Sequence, residues 1–287
     1  MPRDYLWTFT EEVGSIDKRW DLAQDGYKRT TKEAIMPSAL AELKRRKETD
    51  RRLSFGLYLV FLVIIIAVSI VFGALGTWVG GFGAGRIVSL IICLGVAIYV
   101  WWYNWLLYKR RNEHFERTKN LRKILSDLLE EKRGTEKGPL TQMDPLIQRR
   151  EIQRPYYLFW LWLVCSYVGS LSSFLPVTWV LTIAAVIIGL VIVYYLTVDY
   201  YYHEQGEIAF LGKVSVALGK NGSSLTVNPT SPLHRRSYGL YILFTIITLG
   251  IFGIYWAYVL FHDPNKHFDT HEVWERELER IVDKELA

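Results

Sequence analysis

Near the C-terminus, His262, Asp263, His267, Asp269, His271 and Glu272 form the densest group of side chains able to hold a metal ion. Imidazole and carboxylate are ordinary ligands for first-row metals, but they bind one ion only where their donor atoms converge. His267 and His271 are four residues apart and share a face only if one helix includes both. Pro264 and the capping-box spacing of Asp269 and Glu272 predict instead that a helix begins near Asp269, which parts the two histidines. His262, His267 and His271 are therefore candidate metal ligands in a segment whose pattern favours a structural role. Neither a catalytic residue nor a cofactor site is expected.

Other chemistries lack their signatures. There is no G-x-S-x-G, H-E-x-x-H, P-loop or C-x-x-C pattern, which leaves hydrolase, protease, NTPase and thiol redox readings unsupported. The glycines of Gly81 to Gly85 follow no strand and read as a turn. Cys93 and Cys165 lie in separate apolar stretches, where cysteine behaves as a small apolar side chain.

The histidines recur within a larger echo. Arg51 and Arg52 precede Ser54-Phe55-Gly56-Leu57-Tyr58, and Arg235 and Arg236 precede Ser237-Tyr238-Gly239-Leu240-Tyr241. Further on, Asn112, His114 and Phe115 match Asn265, His267 and Phe268 in an N-x-H-F-[ED] string. Amphipathic helices follow both strings, through Leu121, Ile124, Leu125, Leu128 and Leu129 and through Trp274, Leu278, Ile281 and Val282. A fainter middle copy begins at Arg154 and keeps only His203. The repeated string argues for structure, with Phe115 and Phe268 packed on a membrane surface and Asn112, His114, Asn265 and His267 closing a turn before a helix.

The elements that must position these residues are apolar. Hydrophobic residues make up 51% of the 287-residue chain. Leu53 to Val79 and Ile87 to Tyr108 each reach the roughly 20 residues needed to cross a bilayer. Pro155 to Val198 holds no charged residue and fits two spans joined at Ser172 to Pro176. Ser237 to Phe261 is long enough for one span, yet Thr248, Gly250 and Gly253 could break it into a re-entrant hairpin. A single broken span is slightly favoured, because non-helical backbone at membrane depth needs burial in protein.

The fold class expected is all-α: a polytopic membrane bundle of four or five hydrophobic helices, built from about three degenerate hairpin-plus-amphipathic-helix units. The divisions are a basic segment (1–52), a first unit (53–133), a linker (134–154), a second unit (155–220), a linker (221–236) and a third unit (237–287). Lys and Arg number 12 in residues 1–52 and 13 in residues 109–154, while the loop at Gly80 to Arg86 has only Arg86. That bias places the N-terminus in the cytoplasm of a multi-pass cell-membrane protein. The net charge of +5 sits beside the spans, so anionic lipid headgroups rather than nucleic acid are the expected partners.

Thr248-Leu249-Gly250-Ile251-Phe252-Gly253-Ile254-Tyr255-Trp256, followed by Asp263 to Phe268, resembles an uncharacterised prokaryotic membrane-domain family with many archaeal members. That family usually shows T-L-G-I-Y-G-I-Y-W and an N-E-H-F-like string. Phe252 replaces its tyrosine here, and the first two units lack the T-L-G string. The resemblance implies a class and no activity. The function expected is that of a non-enzymatic structural or accessory membrane protein, docked to a protein partner or to its own copies. A small channel or transporter is the alternative.

Overall fold

Uncharged apolar runs become the upper parts of long helices in the computed structural model, which describes residues 35–171, 176–219 and 232–285. All elements among the described residues are helical: α1 (35–44), α2 (Arg46–Thr49), α3 (Phe55–Arg133), α4 (Lys137–Thr141), α5 (Pro145–Arg150), α6 (Tyr156–Leu171), α7 (Pro176–Gly219), α8 (Tyr238–Ile247) and α9 (Ile251–Glu285). Two stretches, Phe55–Leu75 and Thr178–Gly219, are long and apolar enough to cross a membrane, against the four or five expected. Tyr156–Val168 and Tyr238–Ile247 are apolar but shorter. The expected turn at Ser172 to Pro176 falls largely outside the described residues, as do most of the N-terminal segment and of the linker 221–236.

The chain doubles back three times. Tyr99 Oη donates to the Tyr58 carbonyl at 3.1 Å and the two rings stack. A straight helix would set them about 61 Å apart at 1.5 Å per residue, so the helical stretch α3 reverses between them. In the second hairpin, a Cβ on Gly189 would lie 3.0 Å from Trp162 Nε1, and Arg154 binds Asp199 at 3.0 Å. The third is a helical hairpin, and the single broken span favoured from sequence is overturned. Leu249 and Gly250 turn the chain at φ 52° and 94°, and Arg236 at one end binds Asp263 at the other at 2.9 Å. Glycine adopts that conformation without a Cβ penalty; Leu249 does not, and sits 94% exposed at the tip.

Beyond the apolar stretches α3, α7 and α9 continue as polar arms. Leu121, Leu125 and Leu128 of α3, Phe210, Val214 and Leu218 of α7, and Leu278, Ile281 and Val282 of α9 close one core with Ala39 and Leu43 of α1. The amphipathic faces that follow the two N-x-H-F strings are thus buried against one another. Burying a leucine or isoleucine contributes about 1.5–3 kcal/mol, so these arms are held by their own packing.

Pro264 does not start or stop a helix: α9 runs through it. Proline removes the N–H that would bond the carbonyl four residues back. That carbonyl, on Leu260, instead accepts from Arg110 Nη2 at 2.9 Å. The helix start expected near Asp269 is corrected by this guanidinium from α3.

Candidate metal centre

His114 on α3, His203 on α7 and His267 on α9 occupy the same level of the three arms. One turn further on each arm lie Thr118, Glu207 and His271, on the same faces as the histidines. Five of these six side chains converge: donor atoms of His114, His203, Glu207, His267 and His271 all lie within 4.8 Å of one another. None of the five residues is more than 4% exposed. Thr118 donates to the His114 carbonyl at 3.0 Å, and its Oγ1 lies 3.4 Å from His203 Nε2 at the edge of the cluster.

The separations suit one ion. His114 Nε2 lies 3.2 Å from His267 Nε2, His203 Nε2 3.1 Å from Glu207 Oε1, and His267 Nε2 3.4 Å from Glu207 Oε2. His271 Nε2 contacts the same Oε2. Ligands about 2.1 Å from a metal stand about 3.0 Å apart when adjacent in an octahedron and about 4.2 Å when opposite.

An outer layer sets the tautomers. His114 Nδ1 donates to Asp50 Oδ1 at 2.8 Å and His203 Nδ1 to Glu151 Oε1 at 2.8 Å. His271 Nδ1 donates to Glu275 Oε1 at 3.2 Å, and His267 Nδ1 faces Glu204 Oε1 at 3.5 Å. A carboxylate on Nδ1 leaves Nε2 as the lone pair a metal requires and raises its basicity. With its proton committed to Asp50, His114 presents a bare lone pair to His267 Nε2. A proton or a cation must lie between those two nitrogens. Glu207 Oε1, Glu204 Oε1 and His267 Nδ1 are buried without a properly angled hydrogen bond, a costly state that an ion at the centre of the cluster would relieve in part.

Arginines balance the outer carboxylates. Arg117 binds Asp50 at 2.9 Å and Glu275 at 2.7 Å, and Arg122 holds Glu151. Asp50, His271 and Glu275 also group together, but Arg117 already fills that position. Burial alone would raise the Asp50 and Glu151 carboxyls; contacts with His114 and Arg117, and with His203 and Arg122, hold both below the usual range. Burial pushes the His114 and His267 imidazoles below their ordinary value, whereas at His203 burial is outweighed by Glu207 and Glu151, which raise it. At His271 burial opposes protonation, yet Glu207 and Glu275 outweigh it and push the imidazole up to about 10.

The N-x-H-F residues have a different task from the one expected. Asn112 donates to the Arg154 carbonyl at 2.9 Å and accepts from Arg154 N at 3.2 Å. Asn265 does the same to Leu53, at 2.8 and 3.2 Å. Each asparagine clamps the entry of another hairpin rather than closing its own turn. Phe115 and Phe268 are buried with Tyr200 and Leu233 rather than laid on a membrane surface. Of the three metal candidates, His267 and His271 enter the centre, whereas His262 is exposed and stacks on Tyr258. His203, Glu207, Asp50, Glu151 and Glu275 were missed as site residues. The four-residue spacings His203/Glu207, His267/His271 and His271/Glu275 were the available signal.

Four imidazoles and one carboxylate suit a first-row transition ion of five or six coordination better than four-coordinate structural zinc. Glu207 directs both of its oxygens toward the histidines and could supply two bonds.

Comparison with known proteins finds no similar curated protein and no similar solved structure. Residues 236–279, which carry the α8–α9 turn together with Asn265, His267, His271 and Glu275, match the family model of a domain of unknown function (DUF4234).

Proposed function

We propose that this chain is a membrane-anchored metalloprotein in which one first-row transition-metal ion ties together the polar arms of three apolar hairpins. The observation that carries the reading is the convergence of four Nε2 atoms on Glu207, three of the four imidazoles with Nδ1 hydrogen-bonded to a carboxylate and the fourth facing one. Burial of every ligand favours a structural, non-enzymatic centre over one that admits substrate, in keeping with an accessory membrane protein. The apolar hairpins carry exposed side chains such as Ile70, Trp179, Ile183, Ile246 and Leu249, which suit lipid as solvent. In this reading the chain is multi-pass, its N-terminus is cytoplasmic, and its three hairpins are degenerate copies of one unit. The α8–α9 hairpin is re-entrant: at 10 residues, α8 reaches about 15 Å, half of the hydrocarbon thickness.

The test is elemental analysis of protein purified in mild detergent with a non-histidine tag and no chelator. One ion per chain is expected, with its loss in the His203→Ala/His267→Ala double variant. Protein that carries no metal and takes up no Co(II) on refilling would end this reading.

A further inference from the structure

Outside the metal centre, the feature with most unspent charge is a cleft of about 580 Å³ between α3 and the α4–α5 segment. Lys119, Arg122 and Lys123 project into it from one face of α3, and Arg149 faces them from α5, with Gln148 beside it. Among the described residues Glu151 is the only carboxylate in its lining, and Arg122 already holds it. The acids nearest along α3 are engaged elsewhere, Glu116 by Gln153 at 2.6 Å and Asp127 by Lys137. Among the described residues, Lys119, Lys123 and Arg149 have no carboxylate in ion-pair contact. Three uncompensated cations around one concavity raise the local concentration of anions. A guanidinium and two ammonium groups at separate points of its wall match the several oxygens of a phosphate better than the two of a carboxylate.

The floor of this cleft is the outer layer of the metal centre. Arg122 donates to both oxygens of Glu151, and the Oε1 it reaches at 2.9 Å also accepts the His203 Nδ1 proton at 2.8 Å. An anion that draws Arg122 toward itself leaves Glu151 less neutralised and a stronger acceptor for His203, which makes His203 Nε2 a more basic ligand. We propose that this cleft binds a phosphate-bearing anion, and that the bound anion tunes the metal centre through Arg122, Glu151 and His203. The second half rests on the metal reading; the first does not. The volume exceeds what a bare phosphate needs, so a phosphate ester fits, whether it is a soluble metabolite or the headgroup of an anionic lipid.

The test uses the full chain in phosphatidylcholine nanodiscs, titrated calorimetrically with glycerol 3-phosphate. Saturable binding is expected, weakened about tenfold or more in Lys119→Ala/Lys123→Ala/Arg149→Ala, a loss of about 1.4 kcal/mol or more in total. All three side chains are exposed, so the variant keeps its core. In nanodiscs containing phosphatidylglycerol, suppressed binding would identify the headgroup as occupant, and unchanged binding a soluble ester. Absence of saturable binding in the phosphatidylcholine discs, or equal binding by the triple variant, overturns the anion site. In Co(II)-loaded protein the d–d bands should shift on saturation; bound Co(II) with an unmoved spectrum overturns the coupling. Failure to bind Co(II) would strike the metal reading and leave the calorimetric result standing.

Discussion

Replacing Glu207 by glutamine removes one charge and almost no volume at the point where all four imidazoles meet. A closed site of this kind contributes on the order of 10–16 kcal/mol of apparent binding free energy, which over five donors is about 2–3 kcal/mol each. A glutamine carbonyl oxygen is a weaker donor, so Glu207→Gln should lower metal affinity about 30- to 150-fold, at 1.4 kcal/mol per factor of ten. Without metal the same change leaves His271 and His203 facing a neutral amide in place of their carboxylate contacts at Oε2 and at Oε1, 3.1 Å away. The variant should therefore also melt earlier when stripped of metal. Competition against a chromophoric chelator in detergent measures the affinity, and circular dichroism checks that the helices persist. A Glu207→Gln protein with intact helices and unchanged affinity would refute the idea that these donors share an ion.

Three further outcomes follow from the geometry. Asn112→Ala and Asn265→Ala each remove a two-bond clamp between hairpins and should cost about 1–3 kcal/mol, read as a lower Tm; an unshifted Tm in both would make the clamps incidental. Gly206→Ala places a Cβ 2.6 Å from Ile147 Cγ2 and 2.9 Å from Met143 Cε, so overpacking of about 1–3 kcal/mol should outweigh the gain in helix propensity of about 1 kcal/mol. Its expected result is lower thermal stability together with weaker metal binding, because Glu151 lies on the displaced segment. Asp50 and Glu151 have folded-state pKa values below those of the unfolded chain, so their contribution is complete above pH about 4 and is lost as pH falls through the folded values. Metal-free protein should thus destabilise on acidification, and Asp50→Asn should flatten that part of the profile.

Much of the architecture is a local matter and was legible in the residues. Apolar runs mark the limbs of the first two hairpins, though not the fold-back within Ser237 to Phe261, and the helical spacing of Leu121, Leu125, Leu128, Leu278, Ile281 and Val282 marks faces that must be covered. The echo of Asn112-x-His114-Phe115 in Asn265-x-His267-Phe268 marks a shared purpose. What covers those faces, and what the histidines do, is a matter of phase and distance between segments. His114 and His267 are 153 residues apart, and no spacing rule joins them until three arms pack side by side. Pro264 makes the point most sharply. With the capping-box spacing of Asp269 and Glu272 it predicts by local rules a helix that begins near Asp269, which would part His267 from His271. Arg110, from another arm, donates to the carbonyl that proline leaves without its bond, so the helix continues and its next two turns bring both imidazoles to the centre. The sequence determined which segments are helical and apolar; the tertiary contact of one guanidinium decided that the histidines could meet.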